Sequence, residues 1–539
     1  MQKSFLLFIF YTSLVFSQAP TIQFQKTIGG NNEDNCYSIL ETNDGGYIAA
    51  GRSKSSISGD KTQNSLGDYD IWIVRCDLVG TILWQKTIGG TGGDYFSSIK
   101  QTLDGGFIIG STSFSPISGD KTQNSKGLSD YWIIKITANG IIEWDKTIGG
   151  SSEENFSNIE LTADGGYIIG GYSSSPISGD KTENYRSELT FPYLPTLDLW
   201  IVKINSLGTV MWDKTIGGAG NDILNSIKET ADLGFIIGAT SNSSISYEKT
   251  EDARGNSKDY WILKLNEFGT IQWQKTIGGN QNDELTCLSI TIDGGYIVGG
   301  NSLSSISGEK TENLLGGNFQ YPDIWVLKLN TLGNIEWQNT IGGSKSDNIS
   351  DIKQINDNGY IIGGYSDSEI SYDKTENSRG TIDFWVIKLD IIGTIQWDKT
   401  IGGNLGDGIS SFQQTNDFGF LLSGGSRSSI SGDKSENCRG LSDFWIVKLS
   451  PENLSIIQND YNDLIVYPNP TNNFINLNFN NLQERLNLTI INTLGQIVDT
   501  KTFYQIENFK YEIKGANGLY LLTIENEDNL KKTFKIMKN

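Results

Sequence analysis

The chain has 539 residues and carries 42 Lys and Arg against 63 Asp and Glu, which gives a formal net charge of −21. This acidity argues against binding to nucleic acid or to an anionic membrane surface, because both require clusters of Lys and Arg. The chain contains no His, which excludes Ser-His-Asp and Cys-His catalysis, His-ligated zinc and an imidazole base. At 11%, the aromatic content is too high for a disordered chain.

The first 17 residues have the pattern of a secretory signal peptide. Lys3 provides the positive start, residues 5–16 are mostly apolar, and Ser17 is the small residue expected before cleavage. The alternative is a membrane anchor, but the apolar run is short for a hydrocarbon layer of about 30 Å. We therefore expect cleavage after Ser17, and no transmembrane segment in the mature chain.

Two short motifs recur seven times along the chain at intervals of 60 to 68 residues. The first is close to Trp-x-Lys-Thr-Ile-Gly-Gly, with its aromatic residue at Phe24, Trp84, Trp144, Trp212, Trp273, Trp337 and Trp397. The second is Asp-x-Trp, with its Asp at positions 70, 130, 198, 259, 323, 383 and 443. All 13 tryptophans fall within these motifs, which indicates a structural role for Trp.

Each repeat is predicted to form four antiparallel strands, which we denote a to d. In the unit from 96 to 150 they are residues 96–102, 107–112, 131–136 and 141–148. Asp104-Gly105-Gly106 and Asn139-Gly140 supply tight turns between a and b and between c and d. A long polar loop that contains Ser-Gly-Asp-Lys-Thr joins b to c.

These repeats predict an all-β chain with a seven-bladed β-propeller over residues 18–450. The alternative is an open solenoid of stacked sheets. A lone d strand at residues 21–28 precedes the first a strand, and the last unit ends with its c strand at 445–449. We therefore expect the N-terminal strand to complete the last blade and close the ring, which leaves no exposed sheet edge.

The repeat motif resembles that of bacterial secreted propellers of the DGGYI…W type and, more distantly, the blades of quinoproteins. This resemblance implies a fold and no activity. No residue specifies a quinone site, so no cofactor is expected from it. The cysteines, Cys36, Cys76, Cys287 and Cys438, match no zinc or redox spacing and do not recur with the repeat. They are expected to be mostly unpaired, with one disulfide left open.

Residues 451–464 read as a linker, and residues 465–539 are predicted to form a small β-sandwich. The order of motifs there resembles the type A sorting domain of the type IX secretion system of Bacteroidota. The residues that carry this resemblance are Tyr467, Pro468, Asn469, Pro470, Gly495, Gly518, Tyr520 and Lys535. The resemblance implies export through the type IX machinery to the cell surface or the medium. A generic cell-surface module is the alternative.

Acidic residues recur on the loop side of every unit. One set follows the Gly-Gly pair: Asp34, Asp94, Glu154, Asp222, Asp283, Asp347 and Asp407. The other lies in the Ser-Gly-Asp-Lys-Thr loops: Asp60, Asp120, Asp180, Glu248, Glu309, Asp373 and Asp433. One hypothesis is that they bind Ca²⁺ or basic groups. The other is that they cap backbone N–H groups and pair with the repeated lysines, such as Lys61.

A specific site must break the repeat symmetry, and two b-to-c loops are longer than the others. They contain the aromatic residues Tyr185, Phe191, Tyr193, Phe319 and Tyr321, which are the candidate ligand-binding residues. The alternative is that they pack on neighbouring loops. The sequence thus favours a secreted, non-enzymatic binding or adhesion protein with an extracellular glycan or protein as its ligand. An extracellular polysaccharide hydrolase or lyase, or a structural surface-layer component, is the alternative.

Overall fold

The computed structural model describes residues 19–42, 44–186, 196–317, 319–452, 464–492, 496–526 and 531–539. The expected signal peptide lies outside these residues. The chain separates into two compact units. We call residues 19–452 the repeat domain and residues 464–539 the tail domain, and each is described by itself.

The described part of the repeat domain contains seven antiparallel four-stranded sheets. The first three are β2–β5 (Asp34–Glu41, Tyr47–Ser53, Asp70–Cys76, Ile82–Ile88), β6–β9 (Asp94–Gln101, Phe107–Ser113, Asp130–Ile136, Ile142–Ile148) and β10–β13 (Glu154–Leu161, Tyr167–Ser173, Asp198–Ile204, Val210–Ile216). The next three are β14–β17 (Asp222–Glu229, Phe235–Ser241, Asp259–Leu265, Ile271–Ile277), β18–β21 (Asp283–Ile290, Tyr296–Ser302, Asp323–Leu329, Ile335–Ile341) and β22–β25 (Asp347–Gln354, Tyr360–Ser366, Asp383–Leu389, Ile395–Ile401). Two short 3-10 turns, Arg254–Asn256 and Leu315–Gly317, lie in b-to-c loops.

The remaining sheet joins the two ends of the repeat domain. It consists of β26 (Asp407–Gln414), β27 (Phe420–Ser426), β28 (Asp443–Leu449) and the N-terminal strand β1 (Ile22–Ile28), in the order β1-β28-β27-β26. β1 pairs antiparallel with β28, and the Trp445 indole N–H donates to Gln25 Oε1 at 3.1 Å. The expected pairing of the N-terminal strand with the last c strand is therefore present.

Buried side chains of neighbouring sheets form the core. Every c strand is buried along its whole length, as its run of β-branched and aromatic residues predicts. Seven apolar clusters are each shared by two sheets that follow one another. One of them joins Leu421 and Phe444 of the last sheet to Tyr47 and Trp72 of the first. The last sheet thus packs against the first, just as every other sheet packs against the next one along the chain.

Each a strand carries a β-bulge at its fourth residue. In β2 the register with β3 shifts between Cys36 and Ser38, so Tyr37 is the extra residue, and the same shift occurs in the other six a strands. A bulge re-aims the side chain of the extra residue. It therefore decides which side chains face the inner side of the repeat domain.

The tail domain is one five-stranded sheet, whereas the sequence predicted a sandwich of two sheets. Its strands are β29 (Leu464–Tyr467), β30 (Phe474–Asn492), β31 (Ile497–Glu512), β32 (Gly518–Asn526) and β33 (Lys531–Lys538). The long strand β30 pairs with β29 through its first half and with β32 through its second half. Hydrogen bonds between Thr471 and the end of β33 bring the two edges of the sheet together, so that it is nearly closed.

The repeat domain extends to Glu452, two residues into the expected linker. Lys388 Nζ lies 2.6 Å from a carboxylate oxygen of Glu452, and the Trp397 indole N–H donates to the other at 3.3 Å. Glu452 therefore belongs to the repeat domain. Residues 453–463 lie outside the described residues.

Candidate functional site

The repeated Trp and Lys side chains serve the scaffold. Each c-strand Trp is fully buried, and its indole N–H donates at 2.9–3.1 Å to a Gln or Asp of the d strand. In six sheets the ammonium of the loop lysine lies 4.8–5.6 Å from the centroid of this ring, as Lys310 does over Trp325. These contacts fix the b-to-c loop onto its own sheet.

Both repeated sets of acids bind backbone N–H groups of the Gly-Gly turn. The buried carboxylate that follows the turn accepts the N–H of the second Gly at 2.6–2.7 Å in all seven sheets, as Asp34 does from Gly30. The loop acid accepts the N–H of the first Gly at 3.1–3.3 Å, as Asp60 does from Gly29. This geometry favours the capping hypothesis for these acids.

Calcium binding remains an untested prediction. Among the residues that the structure describes, no three His, Cys, Asp or Glu side chains form a group that could hold a metal ion. The four cysteines are free thiols, and Cys36, Cys76 and Cys287 are buried. Burial raises the pKa of Cys36 to about 11, which keeps this thiol protonated at neutral pH.

The aromatic residues predicted from the long loops are only partly described. Phe191 and Tyr193 lie outside the described residues. Tyr185 is half-buried, while Phe319 and Tyr321 are 56% and 37% exposed. Next to Tyr185, the Arg186 Nε lies 2.9 Å from Glu248 of the following sheet. The same tie between sheets recurs at Arg254, Arg379 and Arg439, so Arg186 belongs to the scaffold.

A larger departure from the repeat lies at the inner end of the loops, where b-to-c and d-to-a loops meet the a strands. A cavity of about 600 Å³, which we call the mouth pocket, opens there beside the last sheet. It is lined by polar, aromatic and apolar side chains that include Asn35, Tyr37, Tyr365, Thr381, Ile382, Leu405 and Arg427. The volume lies in the range of small-molecule sites, and the mixed lining is typical of them.

Gly408 leaves open space in the last sheet, whereas a Cβ atom on its partner Gly425 would meet Asn35 Oδ1 at 2.6 Å. Gly408 of β26 lies opposite Gly425 of β27, while the same pair in the second sheet is Tyr95 and Thr112. A Cβ atom on Gly408 would approach only Tyr365, at 3.8 Å, so the space beside it is open. The last sheet thus lacks the two side chains that fill this position in the second sheet.

Tyr37, Tyr365 and Arg427 line the mouth pocket, and Arg52 lies beside it, against the ring of Tyr37. Arg52 Cζ lies 5.0 Å from the ring centroids of both Tyr37 and Tyr69, and 5.6 Å from that of Tyr95. Its buried Nε has no hydrogen-bond partner among the described residues. Arg427 lines the pocket and is exposed. These side chains can stack on a planar or ring-shaped group and can pair with an anion.

The residues of the mouth pocket were missed because the prediction compared loop lengths alone. A comparison of equivalent strand positions would have found them. Gly408 and Gly425 are small, at positions where all the other repeats carry larger side chains. The bulge turns Tyr37 inward. No sequence pattern indicates this bulge.

In the tail domain, the structure brings two predicted motif segments together. Asn469 Nδ2 donates to the Lys535 carbonyl at 2.6 Å, and the Met537 N–H donates to Asn469 Oδ1 at 2.9 Å. The Tyr520 hydroxyl donates to the Ala516 carbonyl at 2.5 Å, and Gly518 begins β32. Gly495 lies outside the described residues. Asn469 therefore holds the segment that includes Pro468 and Pro470 against the last strand through two hydrogen bonds.

Comparison with known protein families assigns this domain. Residues 465–539 match the family described as the secretion system C-terminal sorting domain. The chain thus carries a sorting domain. In the described residues, no helix is long and apolar enough to cross a membrane.

Two curated proteins are similar to this chain at low identity. Regulatory protein FlaEY of Caulobacter vibrioides is 22% identical over 382 residues, which are 66% of this chain and 38% of that protein. An uncharacterized WD repeat-containing protein, L264, of Acanthamoeba polyphaga mimivirus is 21% identical over 420 residues, 63% of this chain and 29% of that protein. This chain therefore spans less than two fifths of either relative.

Solved structures resemble this chain at low TM-scores. The WD40 domain of Neurospora crassa Pan2 has a TM-score of 0.40 and 10% identity, and covers 78% of this chain and 90% of its own. YCF48 bound to the D1 peptide has a TM-score of 0.38 and 8% identity, and covers 82% of this chain and 99% of its own. Since both scores are low, the fold described above rests on the strand pairing of this chain.

Proposed function

We propose that the protein is a secreted binding protein, exported through the type IX machinery, whose repeat domain is a closed seven-bladed propeller. The sorting domain at residues 465–539 supports export to the cell surface or the medium. The pairing of β1 with β28 and the cyclic order of the apolar clusters support closure of the ring. In this proposal residues 1–17 are the signal peptide.

The observation that carries the binding proposal is the mouth pocket. An asymmetric hollow on an otherwise repetitive scaffold costs packing area, and it leaves Tyr365 and Arg427 beside open space. Tyrosine rings stack on the faces of sugars, and arginine pairs with carboxylate or sulfate groups. We infer that the ligand is an extracellular glycan with an acidic sugar, and that it is bound without turnover. The long-loop residues Tyr185, Phe191, Tyr193, Phe319 and Tyr321 are proposed as a second, outer contact.

Filling the pocket tests this proposal. The change Gly408→Tyr copies Tyr95 of the second sheet, and a Cβ atom at this position would meet only Tyr365, at 3.8 Å. On a panel of neutral and acidic glycans, the unchanged chain should bind acidic members, and Gly408→Tyr should lose at least about tenfold in affinity. Arg427→Ala should show the same loss, concentrated on acidic glycans.

The matched control is Ile223→Tyr, which places the same side chain at the equivalent position of β14. It should leave binding unchanged. Equal binding by Gly408→Tyr and the unchanged chain would exclude the mouth pocket as the site. Release of shortened glycan products during the incubation would instead support a hydrolase or lyase. If no glycan binds, the remaining possibilities are that the chain is a structural surface component or that its ligand is a protein.

A further inference from the structure

A second cavity lies deeper in the repeat domain. Residues from the a strand of all seven sheets line this space of about 240 Å³, which we call the central cavity. It shares Tyr37 and Ser410 with the mouth pocket, so the two spaces meet. Most of its wall consists of hydroxyl and amide side chains. Three lysines, Lys100, Lys228 and Lys353, also line it.

The three lysines occupy one position of the repeat, the seventh residue of the a strand. Their partners across the sheet are Ile108, Ile236 and Ile361, which are equivalent residues of the b strands. The other four sheets have different side chains at this position: Leu40, Glu160, Ser289 and Gln413. Lysine is therefore not required there by the fold.

The carboxylates beside these lysines do not balance their charge. Glu160 is shared, at 3.1 Å from Lys100 Nζ and 2.7 Å from Lys228 Nζ. Asp351 lies 2.8 Å from Lys353 Nζ. Three ammonium groups thus face two carboxylates. One position further along the a strands, the Glu41 and Glu229 carboxylates accept backbone N–H groups of neighbouring turns, at Asn416 and Ala163.

Gathering like charges in a small space has a cost. Burial lowers the pKa of Lys100 to about 8, and the positive charges of Lys228 and Lys353 add to the effect, whereas the Glu160 carboxylate raises the pKa of Lys228 against the effect of burial. The side chains of Lys100, Lys228 and Lys353 are 24%, 23% and 39% exposed, so each retains some free surface. An anion in the cavity would offset the repulsion and accept hydrogen bonds from the ammonium groups.

We propose that the central cavity binds one oxyanion, held by the ammonium groups of Lys100, Lys228 and Lys353 with hydroxyl groups of the a strands as further donors. The shared chemistry is a compact group with several acceptor oxygens and at least one negative charge. It is either a free ion such as sulfate or the carboxylate of a larger molecule. The proposal does not depend on glycan binding at the mouth pocket.

Calorimetric titration of the full chain at constant ionic strength tests the proposal. Sodium sulfate is the probe for a free ion and sodium acetate the probe for a carboxylate, each against a sodium chloride background. Saturable binding of one ion is expected. The variants Lys353→Ser and Lys100→Gln copy the equivalent residues Ser289 and Gln413, and each should weaken binding at least about tenfold, the loss of one charge-assisted hydrogen bond.

The control is Lys345→Ser, which removes an exposed lysine from a loop. It should bind the probe like the unchanged chain. Equal binding by Lys353→Ser, Lys100→Gln and the unchanged chain, or no saturable binding at all, would overturn the proposal. If a variant fails to fold, crystals of the unchanged chain grown with selenate decide the matter. An anomalous peak between Lys228 and Lys353 supports the site, and an empty cavity contradicts it.

Discussion

At the scale of single residues, the repeat domain buries a titratable side chain at the start of every c strand. Each c strand begins with a fully buried Asp, and in the fifth sheet Asp323 Oδ2 accepts the Leu315 N–H at 2.6 Å while Oδ1 has no partner among the described residues. Burial raises the pKa of Asp323 to about 8. Desolvation disfavours the charged carboxylate more than Lys310 nearby stabilises it.

This raised pKa predicts that the repeat domain loses stability as the pH rises from 5 to 8. In that window the unfolded chain has released the Asp323 proton, whose ordinary pKa is 3.8, while the folded chain still holds it. Raising the pH therefore favours unfolding. Burial raises the pKa of Asp198 to about 8 and that of Asp259 to about 7, so both contribute in the same direction. Melting temperatures measured across this range by circular dichroism should fall steadily.

The variant Asp323→Asn should melt with a shallower pH dependence, since an amide does not titrate. Asp293→Asn is the matched control, because the pKa of Asp293 is lowered to about 2 and this group stays ionised throughout the window. Its melting temperature should change by the same amount at every pH from 5 to 8. A parallel shift for Asp323→Asn as well would show that this carboxylate does not titrate there.

At the scale of strands, β1 differs from the other d strands of the described residues, because no short turn joins it to its own sheet. Its contacts with the last sheet include the bond between Gln25 and the Trp445 indole and a bond of 2.6 Å between Lys434 Nζ and Thr27 Oγ1. Ile28 is fully buried. Without β1, the backbone groups along the edge of β28 would be unpaired, and such an edge recruits other strands.

A chain that lacks residues 19–28 should therefore form dimers or aggregates, and a synthetic peptide with the β1 sequence should restore the monomer. Size-exclusion chromatography with light scattering measures both effects. A control peptide with Gln25→Ala and Ile28→Asp should fail to restore it, because it lacks the acceptor for Trp445 and cannot be buried. A stable monomer without β1 would contradict closure of the ring by this strand.

The strands of the repeats were predictable because their signals are local. In the second sheet, the predicted strands at 107–112 and 131–136 differ from β7 and β8 by one residue at one end. Alternating apolar residues and Gly turns suffice for this. The mouth pocket and the central cavity have no such local signal and require a comparison of equivalent positions between repeats, because residues such as Tyr37 and Lys353 line one cavity only after distant strands have been placed. The single sheet of the tail domain was missed because β30 changes its partner midway.

At the scale of the whole molecule, each of the two domains has an apolar core of its own. The apolar core of the tail domain consists of tail residues alone, and the seven clusters of the repeat domain consist of its own residues. Each domain therefore has the core it needs to fold by itself.

A chain that ends at Glu452 should thus keep the fold of the repeat domain and lose the export signal. Calorimetry should show its melting transition unchanged within about 1–2 °C of that in the full chain, because no core contact is removed. In the native host it should remain in the periplasm, while the full chain reaches the medium or the cell surface. A repeat domain that unfolds on removal of residues 465–539 would refute the separate cores.

The pairing of β1 with β28 sets an order of events for folding. In other sheets the d strand lies close to its c strand in the chain, as with Gln85 and Trp72, which are 13 residues apart, whereas Gln25 and Trp445 are 420 apart. Since loop entropy grows with the logarithm of length, this contact costs about 3 kcal/mol more to form. The pairing between the two ends of the repeat domain should therefore form last during biogenesis and break first when the protein is heated or pulled.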